Sequence, residues 1–209
     1  MIPISKQPAT AICFLAGGQA RRMGGGDKAF IEIGGLSILE RQMKATCQHQ
    51  LRLINANGHS ERFSAFGLPV IDDCVAGFLG PLAGILSGLE YVASNHSEIE
   101  WMLSCATDVP FVPENLSEAL HDARLREASE LATVMSAGRT HPVFSLWPLT
   151  IAPALRQALI NEEIRKIDVF TSRYKVAYGV FDSQSDPFMN INTPEDVRVA
   201  QARAVFDER

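Results

Sequence analysis

Phe14-Leu15-Ala16-Gly17-Gly18-Gln19-Ala20-Arg21-Arg22-Met23-Gly24-Gly25-Gly26-Asp27-Lys28 is the stretch from which the rest of the chain is read. The run that leads into it, Ala11-Ile12-Cys13-Phe14-Leu15, is short, unbroken and bounded by glycine, the pattern of a buried strand. Five glycines then fall within ten residues, threaded by two arginines and followed by a lysine. A loop of that kind turns tightly and presents several backbone N–H groups on one concave surface. Bare amide donors and cationic side chains at the carboxyl end of a strand suit a polyphosphate. A flexible, solvated loop is the competing reading. The preceding strand, the Arg-Met-Gly step and the lysine set against a further apolar run all weigh against it.

Two familiar phosphate loops are excluded by the letters. No Gly-Lys-Ser/Thr is present, so this is not a Walker loop. No Gly-x-Gly-x-x-Gly opens a helix here, so it is not the dinucleotide fingerprint either.

Outward from the loop, strand-like and helix-like segments alternate. Ala29–Ile33 reads as a short strand closed by Gly34-Gly35, and Ser37 as the cap of a helix to about Cys47. Leu51–Asn55 is the next strand, Ser60–Phe66 a short helix, and Pro69–Ile71 a strand ending in Asp72-Asp73. Gly80-Pro81 opens a helix to about Ser94, with proline at its first position. Glu100–Ala106 is a strand that leads to Asp108, and Pro113–Ala128 a helix. Leu131–Ala137 and Pro142–Trp147 read as strands, and Pro148–Arg173 as largely helical with a break near Asn161. A strand at Lys175–Asp182 and a helix from Thr193 to Phe206 close the chain. Such alternation predicts an α/β fold, a mostly parallel sheet with helices on both faces.

In these sheets ligands lie outside the carboxyl ends of the strands. The glycine loop, Asn55, the Asp72-Asp73 pair and Asp108 all fall at such ends and are expected to share one site. Asp108, in Ala106-Thr107-Asp108-Val109-Pro110, offers a hard oxygen ligand suited to Mg²⁺, which takes one or two carboxylates plus substrate phosphates; a turn-capping aspartate is the alternative. Lys28 is expected to contact phosphate as a mobile point charge. Arg22 is a second candidate and Arg21 a third. Adjacent residues on an extended chain point opposite ways, so either Asp72 or Asp73 is the relevant carboxylate. Gly80, Gly84 and Gly88 are four apart and share a helix face, for close packing on the sheet or for a ligand. His141, between a loop and a strand, reads locally as a turn residue. Thr193, Pro194, Glu195 and Asp196 read as a helix start. Asn190 and Asn192 are not needed for capping, and their alternation puts both on one side of an extended segment.

Leu15-Ala16-Gly17-Gly18-x-x-x-Arg22-Met23-Gly24-x-x-x-Lys28 resembles the signature loop of the Rossmann-like nucleotidyltransferases and, within them, that of the molybdenum cofactor guanylyltransferases. CTP-dependent members more often begin Leu-Ala-Ala-Gly, so the Gly17-Gly18 pair leans towards the guanylyltransferases. The resemblance runs from Leu15 to Glu195; the Gly24-Gly25-Gly26 triplet departs from it without moving Lys28. It implies a three-layer α/β fold in a single domain over residues 1–209, with a nucleotide-binding N-terminal half and an acceptor-binding C-terminal half. It further implies GTP binding by Leu15, Ala16, Gly17, Gly18, Lys28, Asn55, Asp73 and Asp108, catalysis by Lys28, Arg22 and Asp108, and Mg²⁺ on Asp108. His141, Asn190 and Asn192 would border a molybdopterin acceptor. CTP as donor, or a sugar or alditol phosphate as acceptor, stays open, as does a nucleotide-binding regulator without catalysis. The retention of both Lys28 and Asp108 speaks against the regulator.

Composition bounds the rest. The 209 residues, 46% of them apolar, suffice for one large core, and no linker or charge run divides them. A net charge of −5 argues against a nucleic-acid surface, so phosphate affinity must be local. No apolar stretch approaches the ~20 residues that cross a bilayer, and the start of the chain lacks a signal-peptide core. The four cysteines are widely spaced without a Cys-x-x-Cys pair, with Cys13 and Cys105 in strand-like runs. A soluble, cytoplasmic chain is expected, monomeric or weakly oligomeric, with a helper protein of cofactor biosynthesis left open as a partner.

Overall fold

The computed structural model describes residues 8–17, 27–77 and 80–207. The glycine-rich segment with Gly18, Arg21 and Arg22 lies outside them, so the sequence expectations for those residues are neither placed nor displaced.

Strand β1 (Thr10–Leu15) lies near the middle of a seven-stranded sheet. On one side it pairs in parallel with β4 (Arg52–Asn55), which pairs in parallel with β5 (Val70–Ile71). On the other side it pairs in parallel with β6 (Trp101–Ala106). Beyond β6 follow β8 (Arg139–Pro148), β7 (Leu131–Ser136) and β9 (Val176–Val180). β8 is antiparallel to both its neighbours, whereas β7 and β9 run in parallel. The sheet is therefore mostly parallel, as expected, with one reversed strand. The chain leaves β1 for β4 and β5 on one side and returns to β6 on the other. The strand order thus reverses at β1, the place where sheets of this type open a crevice at their carboxyl edge.

Alternation along β1 explains the layers. Ile12 and Phe14 face a core shared with α1 (Ile38–Ala45) and α3 (Leu116–Glu127). Ala11 and Cys13 face the opposite core, under α2 (Pro81–Asn95), α4 (Ala152–Ile160) and α5 (Ile167–Thr171). The first core holds Phe14, Phe63 and Phe188, and the second the buried Trp147, whose indole N–H donates to Ser104 Oγ at 2.9 Å. Fully burying side chains of this size is worth roughly 1.5–3 kcal/mol each. Cys13 and Cys105 are buried core residues, as the sequence suggested; burial pushes both thiols well above their ordinary range. Cys47 and Cys74 are exposed, and all four are free thiols.

Gly84 and Gly88 let α2 approach the sheet. A Cβ on Gly88 would stand 2.8 Å from both Cys13 Sγ and Met102 Sδ, and one on Gly84 2.2 Å from Asn55 Oδ1. Gly84 and Gly88 thus serve packing against the strands, whereas Gly80, the residue before the helix, lines the cleft described below.

Several boundaries differ from the sequence reading. Residues 29–33 are not one strand. Lys28–Phe30 form a single 3-10 turn, because Asp27 caps it by accepting from the Ala29 N–H at 3.1 Å. Only Glu32–Ile33 (β2) is extended, in a hairpin with Leu36–Ser37 (β3). Gly34 and Gly35, with φ of 59° and 75°, supply the left-handed residues such a two-residue turn needs. α1 ends at Ala45, two residues before Cys47, and α3 begins at Leu116 rather than Pro113. The break expected near Asn161 is present: α4 ends at Ile160, and residues 161–166 form neither helix nor strand before α5. α1 opens with a full capping box, in which Glu40 N–H donates to Ser37 Oγ and Ser37 N–H to Glu40 Oε2. The final helix α6 (Pro194–Asp207) packs Ala200 and Ala204 against Ile33, Ile38 and Ile191. No helix among the described residues is long and apolar enough to cross a membrane.

Candidate functional site

Register sets the site. Leu15 at the end of β1 stands beside Asn55 of β4 and Ala106 of β6. The three strand ends lie abreast, and the polar residues just beyond them open on a common cleft of about 370 Å³. Leu15, Gly17, Lys28, Asn55, Asp73 and Asp108 all line it, joined by Asn57, Gly80, Pro81, Ala106, Thr107 and Val143. Ala16 is buried just behind, its N–H donating to the Asn55 carbonyl at 2.8 Å. Among the described residues, a Cβ on Gly17 would meet nothing within 4 Å.

On the β4–β5 side the polar groups interlock. Asp73 Oδ1 accepts from Asn55 Nδ2 at 3.0 Å and Oδ2 from Asn57 Nδ2 at 2.7 Å, while the Asp73 N–H donates to Asn57 Oδ1 at 2.8 Å. Of the two adjacent aspartates it is Asp73 that lines the cleft, and Asp72 that is exposed outside its lining. A carboxylate held by two amides keeps acceptor capacity for a ligand's N–H or hydroxyl groups.

On the β6 side, the Asp108 loop is clamped from behind. Gln42 of α1, fully buried, donates from Nε2 to the carbonyls of Ala106 at 2.7 Å and Val109 at 2.8 Å. Thr107 Oγ1 donates to the Leu15 carbonyl at 3.2 Å, and the Ile191 N–H to the Asp108 carbonyl at 2.7 Å. The backbone around Asp108 is thereby fixed on both sides while its carboxylate projects into the cleft.

Lys28 completes the constellation. Its ammonium donates to Asp108 Oδ2 at 3.2 Å and to Asn192 Oδ1 at 2.5 Å. It stands on the 3-10 turn whose cap, Asp27, is approached by Arg62 Nε at 3.6 Å. Burial raises the Asp27 carboxyl above its usual range, and the nearby guanidinium works against that rise. Asn192 is held in turn at the start of α6, where its N–H and that of Thr193 both donate to Asp196 Oδ2. Those bonds, the Asn192 N–H foremost, keep the Asp196 carboxyl below its usual range.

Expected acceptor residues separate in space. Asn192 reaches Lys28, whereas Asn190 is exposed two residues earlier and outside the cleft lining. His141 packs its ring 5.3 Å from that of Phe188, outside the cleft lining, and burial lowers its pKa. Gln42, Asn57, Asp27 and Arg62 escaped the sequence reading. Asn57, in Asn57-Gly58 just past a strand end, and Asp27, which caps the turn two residues on, carried local signals; Gln42 and the Arg62–Asp27 pair act through contacts distant in sequence that spacing does not reveal. Among the described residues, no cluster of three or more histidine, cysteine or acidic side chains could form a metal cage. A cation here would take Asp108 as its protein ligand and draw its other ligands from phosphate and water, the usual pattern for Mg²⁺.

A sheet that reverses at β1, with Gly17, Lys28 and Asp108 converging at its carboxyl edge, defines a nucleotide-binding α/β enzyme. The model of the MobA-like NTP transferase domain matches residues 12–174. The chain is 49% identical to a molybdenum cofactor guanylyltransferase of Rhodopseudomonas palustris (strain BisB5), covering 100% of both chains. It is 45% identical to one of Nitrobacter hamburgensis, over 96% of this chain and 97% of that one. Among solved structures, the molybdopterin-guanine dinucleotide biosynthesis protein A of Archaeoglobus fulgidus superposes with a TM-score of 0.73 at 23% identity, over 95% of this chain and 100% of that one. The chain belongs to the molybdenum cofactor guanylyltransferases, within the MobA-like NTP transferases.

Proposed function

We propose that this enzyme transfers GMP from GTP to the terminal phosphate of molybdenum-loaded molybdopterin, releasing pyrophosphate. The observation that carries the reading is the convergence of Lys28 and Asp108 at the tips of β1 and β6, beside the Asn55–Asp73 pair, in a chain of this family. An oxygen of the acceptor phosphate attacks the α-phosphorus of GTP, the bond from that phosphorus to the α,β-bridging oxygen breaks, and pyrophosphate leaves with the electron pair. The attacking oxygen is already ionised near neutral pH, so no strong general base is required. Catalysis reduces to positioning and charge neutralisation. Lys28, freed from Asp108 when nucleotide enters, neutralises charge growing on the leaving pyrophosphate. The Gly17 N–H, with Gly18 and Arg22, would complete the phosphate cradle, and Ala16, whose own N–H is taken by the Asn55 carbonyl, backs it from the sheet. Asp73 and Asn55 orient the nucleoside.

Mg²⁺ fits the donor set: one hard carboxylate at the cleft, on a clamped loop, with Lys28 available to leave it. When bound there, the ion supplies charge neutralisation across the triphosphate. Asn192 borders the place where the acceptor phosphate must arrive. A cytoplasmic site of action is consistent with the exposed free thiols Cys47 and Cys74.

A panel of GTP, CTP, ATP and UTP with molybdopterin, scored by pyrophosphate release with and without Mg²⁺, tests the reading. Turnover with GTP alone, abolished by chelation, is expected. Preferential turnover with CTP overturns the choice of base, and GTP binding without turnover on molybdopterin overturns the reaction.

A further inference from the structure

A second cavity, of about 290 Å³, lies over β7, β8 and β9 on the side of the sheet that α5 covers. Thr140, Pro142 and Ser145 of β8 line it, while Val143 of that strand lines the cleft. The two spaces are neighbours because β8 is irregular at this point. Val134 pairs with His141 but Thr133 pairs with Ser145, leaving residues 142–144 as a bulge. Bulges re-aim side chains and recur beside active sites. Pro142, which cannot donate to a ladder, is accommodated there.

The lining has a definite chemistry. Asp168 of α5 is its one charged residue among those described, and no lysine, arginine or histidine lines it. It is therefore unsuited to phosphate. Tyr174, Tyr178, Thr140, Thr171 and Ser172 line it beside Leu131, Ile167 and Val176, and the Thr171 and Ser172 hydroxyls donate to the carbonyls of Ile167 at 3.0 Å and Val169 at 2.9 Å. Thr133 and Ser145 satisfy each other, with Ser145 Oγ donating to Thr133 Oγ1 at 2.7 Å. An apolar floor, aromatic walls and a lone carboxylate suit a flat, uncharged heterocycle that carries N–H donors along one edge.

We infer that this cavity seats the fused heterocyclic ring of the acceptor, with Asp168 accepting from its ring N–H and amino groups, while the acceptor's phosphate reaches past the β8 bulge into the nucleotide cleft. The inference rests on the reaction proposed above and adds to it the seat of the second substrate. It also accounts for the absence of cationic groups in the cavity, since the acceptor's only phosphate lies beyond it.

The test uses the full chain, with an unphosphorylated pterin as the binding probe and molybdopterin as the substrate. Asp168→Asn keeps the shape and removes the charge, and Thr171→Trp fills the space. A hydrogen bond to a charged group is worth about 1.5–3 kcal/mol, so Asp168→Asn should weaken pterin binding and raise the acceptor KM about tenfold or more. KM for GTP should stay within about twofold, and Thr171→Trp should reproduce the pattern with an unchanged melting temperature. Competitive inhibition by the pterin against molybdopterin, lost in both variants, supports the assignment. Normal acceptor KM and pterin affinity in both variants, in an enzyme that guanylylates molybdopterin, overturn it. A wild-type chain that binds the pterin through Asp168 yet transfers no GMP overturns the reaction instead and leaves the cavity assigned.

Discussion

Lys28 and Asp108, separated by 80 positions in the chain, meet in the cleft with Nζ 3.2 Å from Oδ2. Their side chains are 16% and 25% exposed, so the pair is neither fully buried nor freely solvated. Such a pair contributes little to stability. It does hold two groups in reserve, each of which a nucleotide with its metal engages better than they engage each other.

Removing either partner should therefore spare the fold and stop the reaction. Lys28→Ala should lose on the order of 2–4 kcal/mol of transition-state stabilisation, seen mainly in kcat, by analogy with the loss of one preorganised donor. Asp108→Asn keeps the shape and removes the metal's protein ligand, and should abolish Mg²⁺-dependent transfer. Single-turnover rates and thermal melts on the two variants check both halves. Wild-type turnover in Asp108→Asn with unchanged Mg²⁺ dependence would refute the metal role.

Gly84 and Gly88 separate packing from ligand orientation. At Gly84 an added Cβ would stand 2.2 Å from Asn55 Oδ1, so Gly84→Ala must displace the amide that donates to Asp73. KM for GTP should rise about tenfold, with a fall in melting temperature. Gly88→Ala meets two sulfur atoms at 2.8 Å, deep in the core and away from the cleft lining. Overpacking of that sort costs about 1–3 kcal/mol and should leave KM for GTP nearly unchanged. Steady-state kinetics beside urea melts would expose the contrast, and equal KM effects at the two sites would contradict it.

These glycines also show what was legible in the chain. Their four-residue spacing announced a shared helix face, yet it did not say what the face approached, because that depends on which strand lies beneath. Strand ends were easier to read. Leu15, Asn55 and Asp108 were placed correctly because an apolar run that stops at a polar residue marks the edge of a parallel sheet. The reversal of β8 left no local mark, since periodicity carries no direction. The Lys28 turn was misread as strand because Ala29–Ile33 is apolar, whereas the Asp27 cap overrides that preference. Gln42 was invisible: a glutamine on an amphipathic helix is ordinarily solvated, and its burial follows only from where the Asp108 loop passes.

Gln42 yields its own prediction. Its amide alone joins the Ala106 and Val109 carbonyls on either side of Asp108. Gln42→Leu preserves volume but strands two buried acceptors, at about 1–3 kcal/mol each. The variant should be less stable, and its kcat should fall through a displaced Asp108 while KM for GTP changes less. Gln42→Glu at low pH, where the protonated acid can donate one bond, should recover part of the rate. A rate loss that merely tracks the unfolded fraction would reduce Gln42 to a structural role.

The far end of the sheet predicts how stability depends on pH. His121 is buried, with Nε2 2.8 Å from Thr10 Oγ1, and that hydroxyl is itself directed at the Pro8 carbonyl at 2.9 Å. Thr10 therefore accepts, His121 is neutral with its proton on Nε2, and Nδ1 is buried without a hydrogen-bond partner among the described residues. Burial, helped by the nearby Arg124, depresses its pKa from 6.5 to about 4. The unfolded chain thus binds a proton between pH 6.5 and 4 that the folded chain refuses, so stability is full above about pH 6.5 and falls as the pH drops towards 4. At 1.36 kcal/mol per unit, and allowing for solvent screening, the loss is on the order of 2 kcal/mol. His49 and His141, also depressed by burial, add in the same direction. Urea unfolding at pH 7 and pH 4.5 should show the drop. His121→Gln, whose amide can still donate to Thr10, should flatten it; an unchanged pH slope in that variant would assign the acid sensitivity to other groups.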